Sequence, residues 1–439
     1  MKRPWKAAAG TAIFTSLLFS LVYNACNQLT ALRPDIGVWS FAWERHWPFI
    51  AAFIVPYWSI DVLFFAAPFF CGTREELAVY RRRIVFAIIA GGIGFLAFPL
   101  RFEYPRPHVV GMFAPWFHAL YGFDLPHNQF PSLHIALRTL LASIYLRKSG
   151  RMTSWLVHGW FCAIGLSTLF TWQHHLVDIL GGFWLGAIAI QLYRFDEPPQ
   201  PRAANYRVAV YYGVAAICFS QLARLSWPWT FVLVWPAFAL GVAAFGYSGF
   251  GGGIYRKEEG RLSWATRLLF APLLAGQWLS LVYYRKRSDR WNEVTPNVWI
   301  GALPDDANAK AAVEAGVTAV LDLTVEFSEA PRFRSLRYHH LPVLDLTAPT
   351  PSQLVEAAEI IDREAALGVI YVHCKAGYSR SAGAVGAWLL WTGQAGSVTE
   401  IVALLEKARP GIVIRPEIRE ALRSFAATEK GKAQVLDAQ

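Results

Sequence analysis

"YVHCKAGYSRSAG", residues 371–383, decides how the C-terminal third of this chain is read. The strand-like run VIYVHC ends on Cys374, and Arg380 and Ser381 follow after five residues, where a helix is expected from about 380 to 392. A strand, a tight loop and a helix N-terminus make an anion site, because successive backbone N–H groups and the helix dipole point positive potential inward. The same field favours the thiolate of a cysteine placed at the loop's start. Arg380 can grip two phosphate oxygens in a planar fork. Gly377 lets the backbone come close to a ligand. Ser381 is placed to hydrogen-bond the sulfur and ease its departure, and His373 to orient the strand end. A lone cysteine is ordinarily a small buried hydrophobe, which is the reading for Cys26 and Cys162; at Cys374 loop length, glycine, arginine and hydroxyl coincide.

Outward from this loop the sequence alternates as a soluble α/β domain does. VWIGALP (298–304), AVLDLT (319–324) and YHHLPV (338–343) read as strands, and PSQLVEAAEIIDREAAL (351–367) as a helix opened by Pro and Ser. Amphipathic helices near 397–408 and 416–427 close a domain spanning 291–439, long enough for its own core.

Upstream the character changes. The chain has 439 residues, 55% of them apolar, with 19 tryptophans, and apolar runs recur through its first two-thirds. Examples are 7–25, 47–70, 84–100, 134–146, 154–171, 179–193, 207–222 and 229–247. A bilayer crossing takes roughly 20 residues, so these predict a polytopic helical bundle over 1–250, with a connecting membrane-embedded or interfacial helix in 251–290. The first run lacks a cleavage pattern and reads as a retained helix. From 291 onward there are 14 Lys and Arg against 18 Asp and Glu, leaving 27 basic against 13 acidic residues upstream. The basic residues sit in short loops at alternate helix ends, which is the bias of cytoplasmic loops rather than a nucleic-acid surface. Cysteines 26, 71, 162, 218 and 374 have no disulfide or metal spacing. No metal and no cofactor is expected.

The loop at 374 resembles the signature H-C-x5-R-[S/T] of the cysteine-dependent dual-specificity phosphatases, over roughly 295–425. The resemblance implies a phosphocysteine on Cys374, and phosphate cradled by Arg380 with the amides of Lys375, Ala376, Gly377, Tyr378 and Ser379. It also implies a general acid from an upstream loop, worth roughly 10²- to 10⁴-fold in rate. Asp345 in PVLDLTAPTP fits by position, with Asp322 as competitor inside a predicted strand. CKAG, with Lys375 beside the nucleophile, is similar to the branch acting on lipids, including phosphoinositide and phosphatidylglycerophosphate phosphatases. Tyr378 stands where that branch often has a second basic residue, and a tyrosyl phosphate on a protein stays open.

A second constellation lies at the mouths of apolar runs, in FDLPHNQFPSLHIAL (123–137) and STLFTWQHHLVDILGG (167–182). Ionisable residues there are costly and point to function. His174 and Asp178 are four apart and share a helix face, so the carboxylate can fix the imidazole tautomer. His134 follows a Pro-Ser turn, and YPRPH supplies Arg106. Together they suit a phosphohistidine mechanism: His174 attacks, His134 protonates the leaving oxygen, and Arg106 with Ser132 holds the phosphate. His175 is an alternative nucleophile.

These residues resemble the type 2 phosphatidic acid phosphatase superfamily over about 50–200, with core motifs in 99–182. Its P-S-G-H appears as Pro131-Ser132-Leu133-His134, and its S-R-x5-H-x3-D as Ser167 through His174 to Asp178. Thr168 and Pro99 stand where that family has arginine and lysine, with Arg101 a partial substitute for the lysine. With fewer phosphate-gripping cations, the chain looks closer to the branch that transfers phospho-headgroups, such as inositol phosphorylceramide and sphingomyelin synthases.

An inward N-terminus puts the loops carrying Arg106, His134 and His174 on the outer face of a membrane, expected to be a bacterial inner membrane. If 268–284 crosses, there are nine helices and the phosphatase is outside; if it is interfacial there are eight and it is cytoplasmic, which a free thiolate favours. The expectation is a two-module enzyme of phospholipid metabolism. The alternative is a membrane-anchored signalling phosphatase acting on phosphoproteins, with an inactive or lipid-sensing bundle.

Overall fold

The computed structural model describes residues 4–193, 204–225, 230–285 and 289–436. They form two compact units, Met1–Glu197 and Pro198–Gln439. The linker expected at 196–205 lies almost wholly outside the described residues.

The first unit is helical: α1 (Trp5–Ala31), α2 (Ile54–Phe70), α3 (Arg74–Ala97), α4 (Ala114–Phe123), α5 (Leu133–Lys148), α6 (Arg151–Phe170) and α7 (Leu176–Leu192). Among the described residues, four stretches are long and apolar enough to cross a bilayer: Trp5–Ala31, Ala51–Phe70, Tyr206–Leu225 and Val234–Tyr255. Helix α3 has the length, but it opens on the charged run REELAVYRRR. A Cβ at Gly182 of α7 would fall 2.4 Å from the Ser132 carbonyl oxygen. Only glycine therefore lets α7 close on the start of α5, and that approach brings the two histidine motifs together.

The second unit begins with α8 (Tyr206–Leu225) and α9 (Val234–Phe245). A short hairpin follows, β1 (Lys257–Glu258) and β2 (Arg261–Leu262), then α10 (Trp264–Leu269) and α11 (Ala271–Arg285). Helix α11 covers the segment whose crossing was open. Its 15 residues rise about 22 Å, short of the roughly 30 Å hydrocarbon layer.

The α/β domain then runs β3 (Trp291–Thr295), β4 (Val298–Ala302), α12 (Asp306–Glu314), β5 (Val317–Asp322), α13 (Pro331–Arg334), β6 (Arg337–His340), α14 (Pro351–Leu367), β7 (Val369–Cys374), α15 (Ser379–Trp391), α16 (Val398–Ala408) and α17 (Pro416–Leu436). The sheet order is β3-β4-β7-β5-β6, with β3 antiparallel to β4 and the other pairs parallel. Side chains alternate across it. Val298, Ile300, Ile370 and Val372 join the core under α14–α17, while Trp299, Val320 and Tyr371 face that of α12 and α13. β7 is central and buried on both faces, so it reads as a continuous apolar run. Its C-terminal end is where open α/β sheets place ligands, and Cys374 is its last residue.

Candidate active sites

Beyond Cys374 the chain turns through Gly377, whose φ is +71°. A Cβ there would lie 2.4 Å from the Gly301 carbonyl group of β4. The glycine is thus required where the loop packs onto the sheet. Tyr378 precedes α15, and no side chain caps that helix, which leaves its leading N–H groups for an anion.

Cys374 is 3% exposed, and Ser381 Oγ lies 3.5 Å from its sulfur. Burial pushes the thiol's pKa up, but the Arg380 guanidinium and the Ser381 hydroxyl and amide outweigh it, so the thiol titrates below its ordinary value. Arg380 is fully buried. Its Nη1 and Nη2 donate to Glu326 at 3.1 and 2.7 Å, which fixes the fork, and its buried Nε has no partner among the described residues. That Nε edge is the donor left for phosphate.

Asp345 sits opposite. Lys375 Nζ donates to it at 2.6 Å, and Arg380 Nη2 lies 3.2 Å away. Burial raises its pKa, but those two cations overcome this and hold the carboxyl at about 2. An incoming phosphate dianion competes for the same cations, so substrate itself returns Asp345 toward the protonated form a general acid needs. Asp322, the competitor, is fully buried and structural. It pairs with Lys257 and accepts from Tyr338 Oη at 2.7 Å.

His373 is fully buried, 2.8 Å from Glu329. Burial pulls its pKa down, yet Glu329 and Asp322 prevail and raise it. Asp322, Glu329 and His373 are close enough to share one metal ion. The Lys257 ammonium already neutralises Asp322, and a second buried cation beside it is opposed.

Four supporting residues escaped the sequence reading: Glu326, Glu329, Arg409 and Arg415. Buried Arg409 donates to the Ala376 carbonyl at 3.4 Å and to Asn292 Oδ1 at 2.5 Å, and lies over the Tyr378 ring. Arg415 donates its N–H to Ser379 Oγ at 3.4 Å. Lys375, Arg380, Arg415 and Asp345 all border one cleft of about 510 Å³ over Cys374.

In the helical unit, His134 and His174 line one cavity of about 80 Å³. His134 stacks on Tyr57 at 4.4 Å, and its buried Nε2 has no partner among the described residues. His174 Nδ1 lies 3.6 Å from Asp178 Oδ2, longer than a hydrogen bond. That oxygen instead accepts the His175 N–H at 2.9 Å, closing the N-terminus of α7. His175 accepts the Glu103 N–H on Nε2, which leaves Nδ1 to donate to Glu44 at 2.8 Å. With both ring nitrogens engaged it has a structural role, and His174 is the histidine of the pair that faces the cavity.

Arg106 and Ser132 do not line that cavity. The Arg106 guanidinium donates to the carbonyls of Asp124 and Tyr121 and lies over the Tyr121 ring. Ser132 is fully buried, and its Oγ accepts the Ile135 N–H to cap α5. The cavity instead holds Asp61 and Asp124, with no lysine or arginine among its described lining residues. Asp61 was missed although an acid within an apolar run is itself a signal.

Residues 298–428 match the dual specificity phosphatase catalytic domain, and residues 82–197 the PAP2 superfamily. Phosphatidylglycerophosphatase and protein-tyrosine phosphatase 1 of Homo sapiens is 31% identical over 172 residues, covering 36% of this chain and 85% of that protein. Phosphatidylglycerophosphate phosphatase PTPMT2 of Arabidopsis thaliana is 28% identical, covering 36% and 72% respectively. A crystal structure of PTPMT1 in complex with PI(5)P is similar at 27% identity and a TM-score of 0.31, over 33% of this chain and 99% of that one.

Proposed function

Because the chain belongs to the dual-specificity phosphatase family and carries a PAP2 superfamily domain ahead of that catalytic domain, we propose that Cys374 hydrolyses a phosphomonoester on a membrane phospholipid. The observation that carries this reading is the single cleft holding a thiol titrating low, three cations and a carboxyl poised opposite them. The named activities of the human and Arabidopsis relatives support a lipid phosphate as substrate.

The thiolate of Cys374 attacks phosphorus in line, forming the P–S bond as the P–O bond to the lipid breaks. Asp345 delivers its proton to the departing alkoxide. Arg380 and the amides of 375–380 hold the three equatorial oxygens as charge redistributes. Water then attacks the phosphocysteine and gives a proton to Asp345, and Ser381 hydrogen-bonds the sulfur as it leaves.

In the helical domain, His174 and His134 would transfer or hydrolyse a lipid phosphate through a phosphohistidine, with the cavity's carboxylates suiting a diester better than a dianion. The short α11 favours an interfacial helix over a ninth crossing, and with it a cytoplasmic phosphatase and a membrane site facing outward, in a bacterial inner membrane. The lack of a cation among the described lining residues also favours the second reading, an inactive or sensing bundle that anchors a protein phosphatase.

Phosphate release by the full-length protein in liposomes distinguishes these readings. Phosphatidylglycerophosphate or phosphoinositides should be preferred over phosphotyrosyl peptides, with no release by Cys374→Ser. A peptide preference would replace the lipid reading with the signalling one.

A further inference from the structure

The cleft over Cys374 is not walled by the α/β domain alone. Its far side is formed by Tyr212 of α8, Leu240 of α9, Tyr247, and Leu273, Gln277 and Tyr284 of α11. Two of those helices, α8 and α9, belong to the described stretches apolar enough to cross a bilayer. Val210, Val214 and Ile217 of α8 are exposed, as are Trp278 and Leu279 of α11. One continuous cavity therefore runs from a cationic end to a wall made of helices suited to hydrocarbon.

The loop carrying the general acid is tied to the same wall. Asn205, just before α8, donates from Nδ2 to the Leu346 carbonyl at 2.7 Å, and Leu346 holds a left-handed φ of +60° beside Asp345. Gln277 is nine-tenths buried and gives its amide N–H to Tyr255 Oη at 2.9 Å, while its Oε1 has no partner among the described residues. An unpaired buried acceptor in a ligand cleft is costly unless a ligand donor meets it.

We propose that this cleft is a lateral lipid site. A bilayer-resident lipid phosphomonoester enters sideways, lays its hydrocarbon along α9 and α11, donates a headgroup hydroxyl to Gln277 Oε1, and sets its phosphate on Arg380 and Lys375. The proposal rests on reading Cys374 as a lipid phosphatase and adds how the lipid reaches it. The arrangement matches an amphiphile: positive charge where the phosphate ends, apolar wall where the chains begin, and one acceptor between them. A soluble phosphoester uses only the cationic end, so the apolar wall discriminates by supplying binding energy to lipids alone.

Gly276 gives the test. It borders the cleft, and a Cβ there would meet no atom within 4 Å, so a large side chain fills the groove without disturbing α11. Full-length Gly276→Trp and Gly276→Ala in liposomes would be assayed on phosphatidylglycerophosphate and on soluble aryl phosphate. The Trp variant should lower the lipid-to-aryl ratio of kcat/KM by about tenfold or more through lipid KM, with Ala near wild type. Gln277→Leu should lower kcat/KM for lipids with a hydroxyl-bearing headgroup but spare phosphatidate. An unchanged ratio in Gly276→Trp, or equal loss on both substrates, would overturn the lateral site. Failure of the wild-type protein to act on any lipid would instead remove the lipid reading beneath it.

Discussion

The two candidate sites of this chain differ most in the sign of what surrounds them. At Cys374 two arginines and a lysine face a single carboxyl across the cleft, with Glu326 fixing one guanidinium from behind. At His134 and His174 the described lining offers two carboxylates and no cation, and Arg106 is held on main-chain carbonyls. A phosphomonoester dianion is drawn to the first and repelled from the second. Motif spacing places nucleophiles, whereas the neighbours set what charge of substrate they can receive.

The comparison breaks most visibly at the nucleophile. Cys374→Ser should abolish phosphomonoester turnover, a loss on the order of 10⁶-fold as for a removed nucleophile in a unit of catalytic groups, measured as phosphate release. Any sizeable residue of activity would move the chemistry to the helical domain.

Asp345→Asn should cost roughly 10²- to 10⁴-fold in kcat. Because the free carboxyl is held at about 2, it is ionised at neutral pH, and the reaction draws its proton from the Asp345–substrate pair. Wild-type kcat/KM should therefore fall as pH rises past about 6, where a phosphate monoanion loses its proton. A rate that climbs steadily to pH 9 would remove Asp345 as the acid.

Arg380→Met removes the largest influence lowering the Cys374 thiol. With that cation gone the thiolate is disfavoured, so the pH profile of iodoacetamide alkylation should shift upward. Lys375→Met removes one charged hydrogen bond and should weaken inhibition by inorganic phosphate about tenfold. His174→Ala should leave Cys374-dependent phosphate release unchanged while abolishing any transfer between lipids. Loss of both activities would join the sites into one machinery.

Much of the C-terminal domain was legible because its signals are local. The helix read at 351–367 is α14, residue for residue, since Thr350 and Gln353 form a capping box and Pro351 opens the first turn. Cys374 ends β7, and Arg380 and Ser381 lie in the first turn of the helix α15 that follows, so local spacing carried the site. Glu326 and Arg409 could not be read, for they meet Arg380 and Ala376 across 54 and 33 residues of chain. The sequence located the histidines of the membrane site but not its charge. Asp61 reaches that cavity from α2, outside both motifs, and Asp124 borders it from the histidine-bearing stretch 123–137 itself, while what occupies Arg106 is a pair of main-chain carbonyls that no sequence pattern displays.

The central claim is that a lipid phosphate passes through Cys374. Full-length protein in liposomes would be mixed with ³²P-labelled phosphatidylglycerophosphate, quenched within a turnover, and digested for peptide mapping by mass spectrometry. Label should appear on the peptide carrying Cys374, be absent from Cys374→Ser and be retained in His174→Ala. Label confined to the His174 peptide, or label on Cys374 from phosphotyrosyl peptides but never from lipid, would contradict it.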